Sequence, residues 1–238
     1  KNLTNFTFGN GIKTIQANMF SGCTNLTTVV LSDSVETIGE YAFSTCKNLE
    51  EISLGSGLTT IGQYAFDNCD SLLTLEIPQN VTSIGQYAFA NCDSLQTVTI
   101  NAALETAEAY MFTNCDSLTT INFGDTCTKI GSYAFAECDG IVSVTIPETV
   151  VSIGERAFQK NTSLESVTLN AAVETIGNYV FINCDKLTTI NIGEKFTKLG
   201  QGCFYECDGL ASVNIPGTVT SIGSEAFESC DALTTLTI

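Results

Sequence analysis

Cysteine stands at 23, 46, 69, 92, 115, 138, 184, 207 and 230, and seven of these nine thiols are followed at once by aspartate. A row of thiols could form disulfides or bind zinc, and a row of carboxylates could hold calcium. The spacing argues against each. Thiols repeated at one slot of successive turns point the same way, which disfavours the disulfide dihedral of about 90°. The chain has no histidine and no Cys-x-x-Cys pair, so no zinc site is expected. Asn161 fills the one missing slot of the row. The thiols are therefore read as small buried hydrophobes whose S–H groups make weak bonds to carbonyls. Cys127 and Cys203 lie outside the row, at positions otherwise held by Val or Ala, and are read as core too.

The aspartates at 70, 93, 116, 139, 185, 208 and 231 are followed most often by Ser or Gly rather than by a second carboxylate. They read as turn residues that accept from backbone N–H groups. No cofactor and no metal are expected. With no histidine, no activated nucleophile and no distinct carboxylate pair, no catalytic constellation can be named, and the protein is expected not to be an enzyme.

The elements that position these rows repeat every 23 residues. Phenylalanine stands at 20, 43, 66, 89, 112, 135, 158, 181, 204 and 227. Glycine holds a third row at 39, 62, 85, 131, 154, 177, 200 and 223. Chance does not place ten Phe at one spacing, and a fixed period in the 20–29 range marks a leucine-rich-repeat solenoid. Each unit opens with alternating apolar and polar residues, as in Leu95, Val98 and Ile100, which is strand periodicity. Pro or Asn then ends the strand, at Pro78, Asn101, Pro147 and Pro216. A second short apolar pair follows, such as Val81 and Ile84, and Gly85 turns the chain. The segment from Gln86 to Cys92 is expected to form a one- or two-turn helical arm burying Ala88, Phe89 and Cys92.

The expected architecture is a right-handed β/α solenoid with a parallel concave sheet of about 11 strands and short helical convex arms. No composition break marks a linker, so residues 1–238 read as a single domain of about ten repeats. The ends carry no capping sequence, which reads as a fragment of a longer array open to end-to-end self-association. A longer period of 69 residues also runs through the chain. The segments opening at Ile77, Ile146 and Ile215 echo one another, as if blocks of three units had been copied.

The outward strand positions form the candidate binding face: Thr97 and Thr99, Thr120 and Asn122, Ser143 and Thr145, Ser166 and Thr168, Thr189 and Asn191. They could be a solvated sheet of Thr ladders or a polar platform of the kind solenoids use for binding. The face carries almost no aromatic or Arg anchor, so affinity per molecule is expected to be modest and aided by multivalency. Regular Thr-x-Thr rows also suit ice-binding arrays, but Glu51, Glu76 and several Asn interrupt them. Six tyrosines share one slot, at 41, 64, 87, 110, 133 and 179. A stacked aromatic strip could bind sugar or peptide; packing with the hydroxyl in water is the favoured reading.

The net charge of −17 excludes a nucleic-acid partner and an anionic membrane surface. A hydrophobic share of 44% excludes an acidic disordered tail. No apolar run approaches the roughly 18 residues that span a bilayer, so no direct membrane insertion is expected. N-x-S/T sequons stand at Asn2, Asn5, Asn25, Asn80 and Asn161. They matter only in a eukaryotic secretory pathway, and Asn161 falls in an interior row.

The pattern L-x-x-I-x-I-P…V-x-x-I-G-x-x-A-F-x-x-C resembles the BspA-like leucine-rich repeats, and the likeness covers essentially the whole chain. Departures are local: Ala107 and Glu108 replace Ile-Gly, Met111 and Val180 replace Ala, and Asn161 replaces Cys. The resemblance implies a secreted or surface-displayed adhesion module for host or cell-surface protein, such as fibronectin or fibrinogen, or for glycan. It implies no catalytic residue and defines no individual binding residue. The competing reading is a passive spacer or stalk presenting another domain.

Overall fold

The computed structural model describes residues 3–170 and 172–238. The sequon at Asn2 lies outside the described residues. Two compact units form. The first holds the chain up to Leu104 together with Glu108–Thr126, and the second holds Glu105–Ala107 together with Cys127–Ile238. The two divide within the stretch that carries the departures Ala107 and Glu108.

Both units are parallel β-solenoids. Among the described residues, eleven strands of three or four residues alternate along the chain with ten strands of two residues. Paired strands are 23 residues apart, as in Thr97 opposite Thr120 and Ser166 opposite Thr189. The β-branched residues pair on a pleated surface whose alternate side chains are buried. In the strand Thr74–Ile77, Leu75 and Ile77 are buried while Thr74 and Glu76 are exposed.

Three expectations need correction. The long strands do not make one sheet of about eleven. In the first unit Asn5–Thr7, Thr28–Val30 and Glu51–Ser53 form one group, and Thr74–Ile77, Thr97–Ile100 and Thr120–Asn122 form another. In the second unit Ser143–Ile146, Ser166–Leu169 and Thr189–Ile192 form a group, followed by the pair Ser212–Asn214 and Thr235–Thr237.

Second, the short apolar pairs build sheets of their own. Four two-residue strands, from Thr14–Ile15 to Ser83–Ile84, pair in the first unit, and six, from Thr106–Ala107 to Ser221–Ile222, pair in the second.

Third, there is no helical arm, and no helix of any kind, among the described residues. The cause is the backbone. Each arm holds two residues in the left-handed region, four apart, such as Tyr64 with Asn68 and Tyr87 with Asn91, and the non-glycine ones have φ of 55–62°. A right-handed helix cannot pass through such positions. The arm is instead a run of tight turns stitched to the next coil. Tyr64, Phe66 and Asn68 donate their N–H groups to the carbonyls of Gln86, Ala88 and Ala90 at 3.1, 2.8 and 3.0 Å. Between them, Ala65, Asp67 and Cys69 donate three residues back, to Gly62, Tyr64 and Phe66. Bonds to the neighbouring coil replace the bonds a helix would make within itself.

The interior is a stack of like residues. In the first unit Phe43, Phe66, Phe89 and Phe112 are fully buried, with rings 5.1, 5.3 and 5.5 Å apart. In the second unit Phe135, Phe158, Phe181 and Phe204 repeat the arrangement at 5.5, 5.7 and 5.5 Å. The glycine row permits this approach. A Cβ on Gly85 would lie 2.4 Å from the backbone N of Gln63, and one on Gly200 would lie 2.1 Å from the carbonyl oxygen of Gly177.

Candidate functional site

The outward positions of the long strands lie on one face within each unit. In the first unit Thr97 stands opposite Thr120 and Thr99 opposite Asn122. Asn122 Nδ2 donates to Thr99 Oγ1 at 3.2 Å. Thr120 and Asn122 are exposed, and Thr97 and Thr99 are half-buried. In the second unit Ser143 and Thr145 stand opposite Ser166 and Thr168, which stand opposite Thr189 and Asn191. Asn191 Nδ2 reaches Thr168 Oγ1 at 3.5 Å. Val98, Val144 and Val167 point the other way and are buried. The face thus offers hydroxyl and amide groups in register from coil to coil. It can donate and accept hydrogen bonds, and these positions carry no charge and no acid or base.

Two depressions of about 380 Å³ open on the long-strand side, and none of the ten predicted positions lines either of them. One lies among Glu51, Ser53, Thr74, Glu76 and Pro78 in the first unit. The other lies among Ile192, Glu194, Asn214, Pro216 and Thr218 in the second.

The thiol row is interior from Cys46 to Cys207, as read from the sequence, while its end members Cys23 and Cys230 are half-buried. Cys69 Sγ donates to the carbonyl of Phe43 at 3.4 Å, Cys92 to that of Phe66 at 3.3 Å, and Cys207 to that of Phe181 at 3.0 Å. All eleven thiols are free. Burial pushes Cys184 up to about 12. Cys69, Cys203 and Cys207 are likewise held well above the ordinary thiol value by burial. These thiols stay protonated at neutral pH and are poor nucleophiles. Asn161 is fully buried in the same row, and its Oδ1 accepts the N–H of Cys138 at 2.8 Å. Among the described residues its Nδ2 finds no partner.

The aspartate row is mixed. Asp139 accepts the backbone N–H and hydroxyl of Thr162 in the next coil, at 3.1 and 2.8 Å. Asp70 instead takes Lys47 Nζ at 3.2 Å. Partial burial and then its neighbours Asp70 and Asp116 raise the carboxyl of Asp93. Among the described residues no group of three or more His, Cys, Asp or Glu side chains is placed to hold a metal ion.

The tyrosine slot packs face to face. In the first unit Tyr41, Tyr64, Tyr87 and Tyr110 stack at 4.8, 4.7 and 4.4 Å. Inner ring faces are covered by their neighbours, which leaves edges and hydroxyls outward. In the second unit Arg156 takes the slot between Tyr133 and Tyr179, its guanidinium carbon 5.9 and 4.8 Å from their centroids. Tyr179 lies over the next slot, Gly202, where a Cβ would come within 2.2 Å of its ring. Its hydroxyl donates to Glu225 Oε2 at 3.0 Å.

Sequence reasoning missed a polar ladder beside these rings. Asn91 Nδ2 donates to Asp67 Oδ1 at 2.7 Å, and Asn114 Nδ2 donates to Asn91 Oδ1 at 3.0 Å. The signal was present: Asn recurs at 68, 91, 114 and 183, four residues after the tyrosine slot, and Asn favours left-handed backbone.

The BspA type leucine rich repeat region matches residues 1–119 and 105–234, in six copies. The chain belongs to the BspA-type leucine-rich-repeat family. No curated protein matches it. Among solved structures, it is similar to a leucine-rich cell surface protein from Faecalibacterium prausnitzii, at 24% identity and a TM-score of 0.56, covering 100% of this chain and 88% of the other. A leucine-rich repeat protein from Bacteroides ovatus matches at 21% identity and 0.53, covering 98% and 80%. The pneumococcal vaccine antigen PcpA matches at 20% and 0.61, covering 99% and 72%. These likenesses show the fold alone, that of a leucine-rich-repeat solenoid. Among the described residues no helix is long and apolar enough to cross a membrane.

Proposed function

We propose that this BspA-type chain is a non-catalytic recognition module, displayed on a cell surface or secreted, that binds a protein or glycan through the outward face of its long strands. The in-register ladder of hydroxyls and amides on that face carries the reading. Its partners are host or cell-surface proteins, extracellular-matrix proteins among them. The unbroken 23-residue phenylalanine row favours treating residues 1–238 as one repeat domain built from the two units. The F. prausnitzii relative, described as a cell surface protein, supports the same placement. With no charged or aromatic anchor at the ten positions, affinity comes from many weak contacts and gains from multivalent display.

The test places Arg on the face in each unit. Thr120→Arg and Thr145→Arg add a long charged side chain where a polar surface is needed, without touching the core. Binding to immobilised fibronectin and fibrinogen, read by surface plasmon resonance, should fall at least tenfold while Tm stays unchanged. Equal binding by wild type and both variants removes this face and favours the passive-spacer reading.

A further inference from the structure

The breaks between long-strand groups coincide with the 69-residue period. Thr74–Ile77 and Ser212–Asn214 each begin a new group, and each leads into a proline, Pro78 or Pro216. The strand Ser143–Ile146, followed by Pro147, opens the first long-strand group of the second unit. At these coils the bonds to the preceding coil are fewer in two places.

The first is at the strand end. In the coils that follow the prolines, asparagine fills the slot. Asn101 donates its N–H to the carbonyl of Ile77 at 3.0 Å, and Asn170 Nδ2 donates to the carbonyl of Ile146. Pro78 and Pro216 have no N–H to give. Among the described residues Gly55, Gly124 and Gly193 in the same slot make no such bond either, so this position contributes one only where Asn fills it.

The second is at the strand start. Thr27, Thr119, Thr188 and Thr234 each donate a hydroxyl to the preceding coil's backbone at 3.1–3.2 Å. The equivalent residues in the proline coils are Leu73, Val142 and Ala211, which lack the hydroxyl; Glu50, Gln96 and Glu165 lack it within the groups too, but there the backbone bond is kept. The backbone bonds weaken at the same places. Within the groups, Thr27, Glu50, Thr119 and Thr188 donate their N–H groups across at 2.7–3.0 Å. Leu73 donates to Glu50 at 3.4 Å, and among the described residues Ala211 makes no such bond. Leu31 donates to Ser53 at 2.9 Å, whereas Leu54 makes no bond to Glu76.

The opposite side of each junction is continuous. Thr60 and Ile61 pair with Ser83 and Ile84, and Lys198 and Leu199 pair with Ser221 and Ile222. The rings of Phe43 and Phe66 stack at 5.1 Å, and those of Phe181 and Phe204 at 5.5 Å. The depressions at Glu51–Glu76 and at Ile192–Asn214 are the visible gaps.

We propose that the long-strand face is segmented, and that the junctions before Thr74 and before Ser212 are hinged seams. They open on the long-strand side about the continuous short-strand and phenylalanine rows. Each seam lets adjacent three-coil blocks change their spacing on the outward face while the interior stays closed. The three-unit copying visible in the sequence is thereby a mechanical period.

Native-state hydrogen exchange on the whole 238-residue chain tests this. In the wild type, the amides of Leu54, Leu73 and Thr74 should exchange at least about tenfold faster than those of Leu31, Glu50 and Glu51 in the same slots, because seam opening costs less than opening within a block. The double variant Leu73→Thr with Pro78→Asn supplies both missing donors and should slow the three seam amides by a similar factor. Equal wild-type rates at the two sets overturn the proposal without any variant. Seam rates unchanged in a folded double variant overturn the assignment of the seam to these two residues.

Discussion

Phe66 shows how much one residue carries. Its ring sits between those of Phe43 and Phe89 and is fully buried. Phe66→Ala removes that ring and leaves a gap that two rigid coils cannot close, at about 3–5 kcal/mol. Urea denaturation should show the loss as a lowered midpoint. The thiols give a pH signature. A folded Cys184 holds its proton up to about 12, against 9.0 for an ordinary thiol. The folded state therefore binds this proton more tightly than the unfolded chain. Its contribution is complete below pH 9 and is lost as pH rises toward 12, at about 1.4 kcal/mol per pH unit. Urea midpoints at pH 8 to 11 should fall accordingly. A constant midpoint through pH 11 would mean that the thiol is open to solvent. The tyrosines pose the opposite balance: each holds φ near 55–58°, at about 1–2 kcal/mol of backbone cost. Ring stacking and burial offset it, so Tyr87→Gly should still destabilise, by a smaller margin than Phe66→Ala.

The arm is the element at which expectation and structure part. Its seven residues have the composition of a helical turn, and nothing in the spacing of Ala88, Phe89 and Cys92 separates a helix from a string of turns. Asn recurring four residues after Tyr was the legible sign. The glycine row belongs to this scale too. Gly85→Ala would push a Cβ against the backbone N of Gln63 at 2.4 Å, and backbone cannot swing aside as a side chain can. The expected loss is about 1–3 kcal/mol, seen as a lower Tm by calorimetry. Gly11→Ala, with open space around it, should leave Tm nearly unchanged.

For the molecule as a whole, 26 acidic residues against 9 Lys and Arg set the balance. Surface ion pairs such as Lys13 with Glu36 and Lys160 with Glu137 are exposed and add little. Self-repulsion at a net charge of −17 opposes the folded state and is screened by salt. Raising NaCl from about 10 mM to 150 mM shortens the screening length from roughly 30 to 8 Å and should raise Tm. A Tm that falls instead would show that attractive pairs outweigh repulsion.

The sequence alone determined the period, the inward residues and the outward ones. A 23-residue repeat places equal residues at equal depth, so Phe, Cys and Gly rows and the Thr face could be read without coordinates. The absence of anchors in the candidate face was equally legible, being a matter of residue type. Tertiary structure decided how the backbone closes each coil. Whether an N–H bonds within its own turn or to the neighbouring coil depends on how near that coil lies, and no single repeat contains that information. It also decided where the long-strand ladder breaks. Pro78 and Leu73 are ordinary residues in a list, and they become a seam only when the coil before them is in place to be left unbonded.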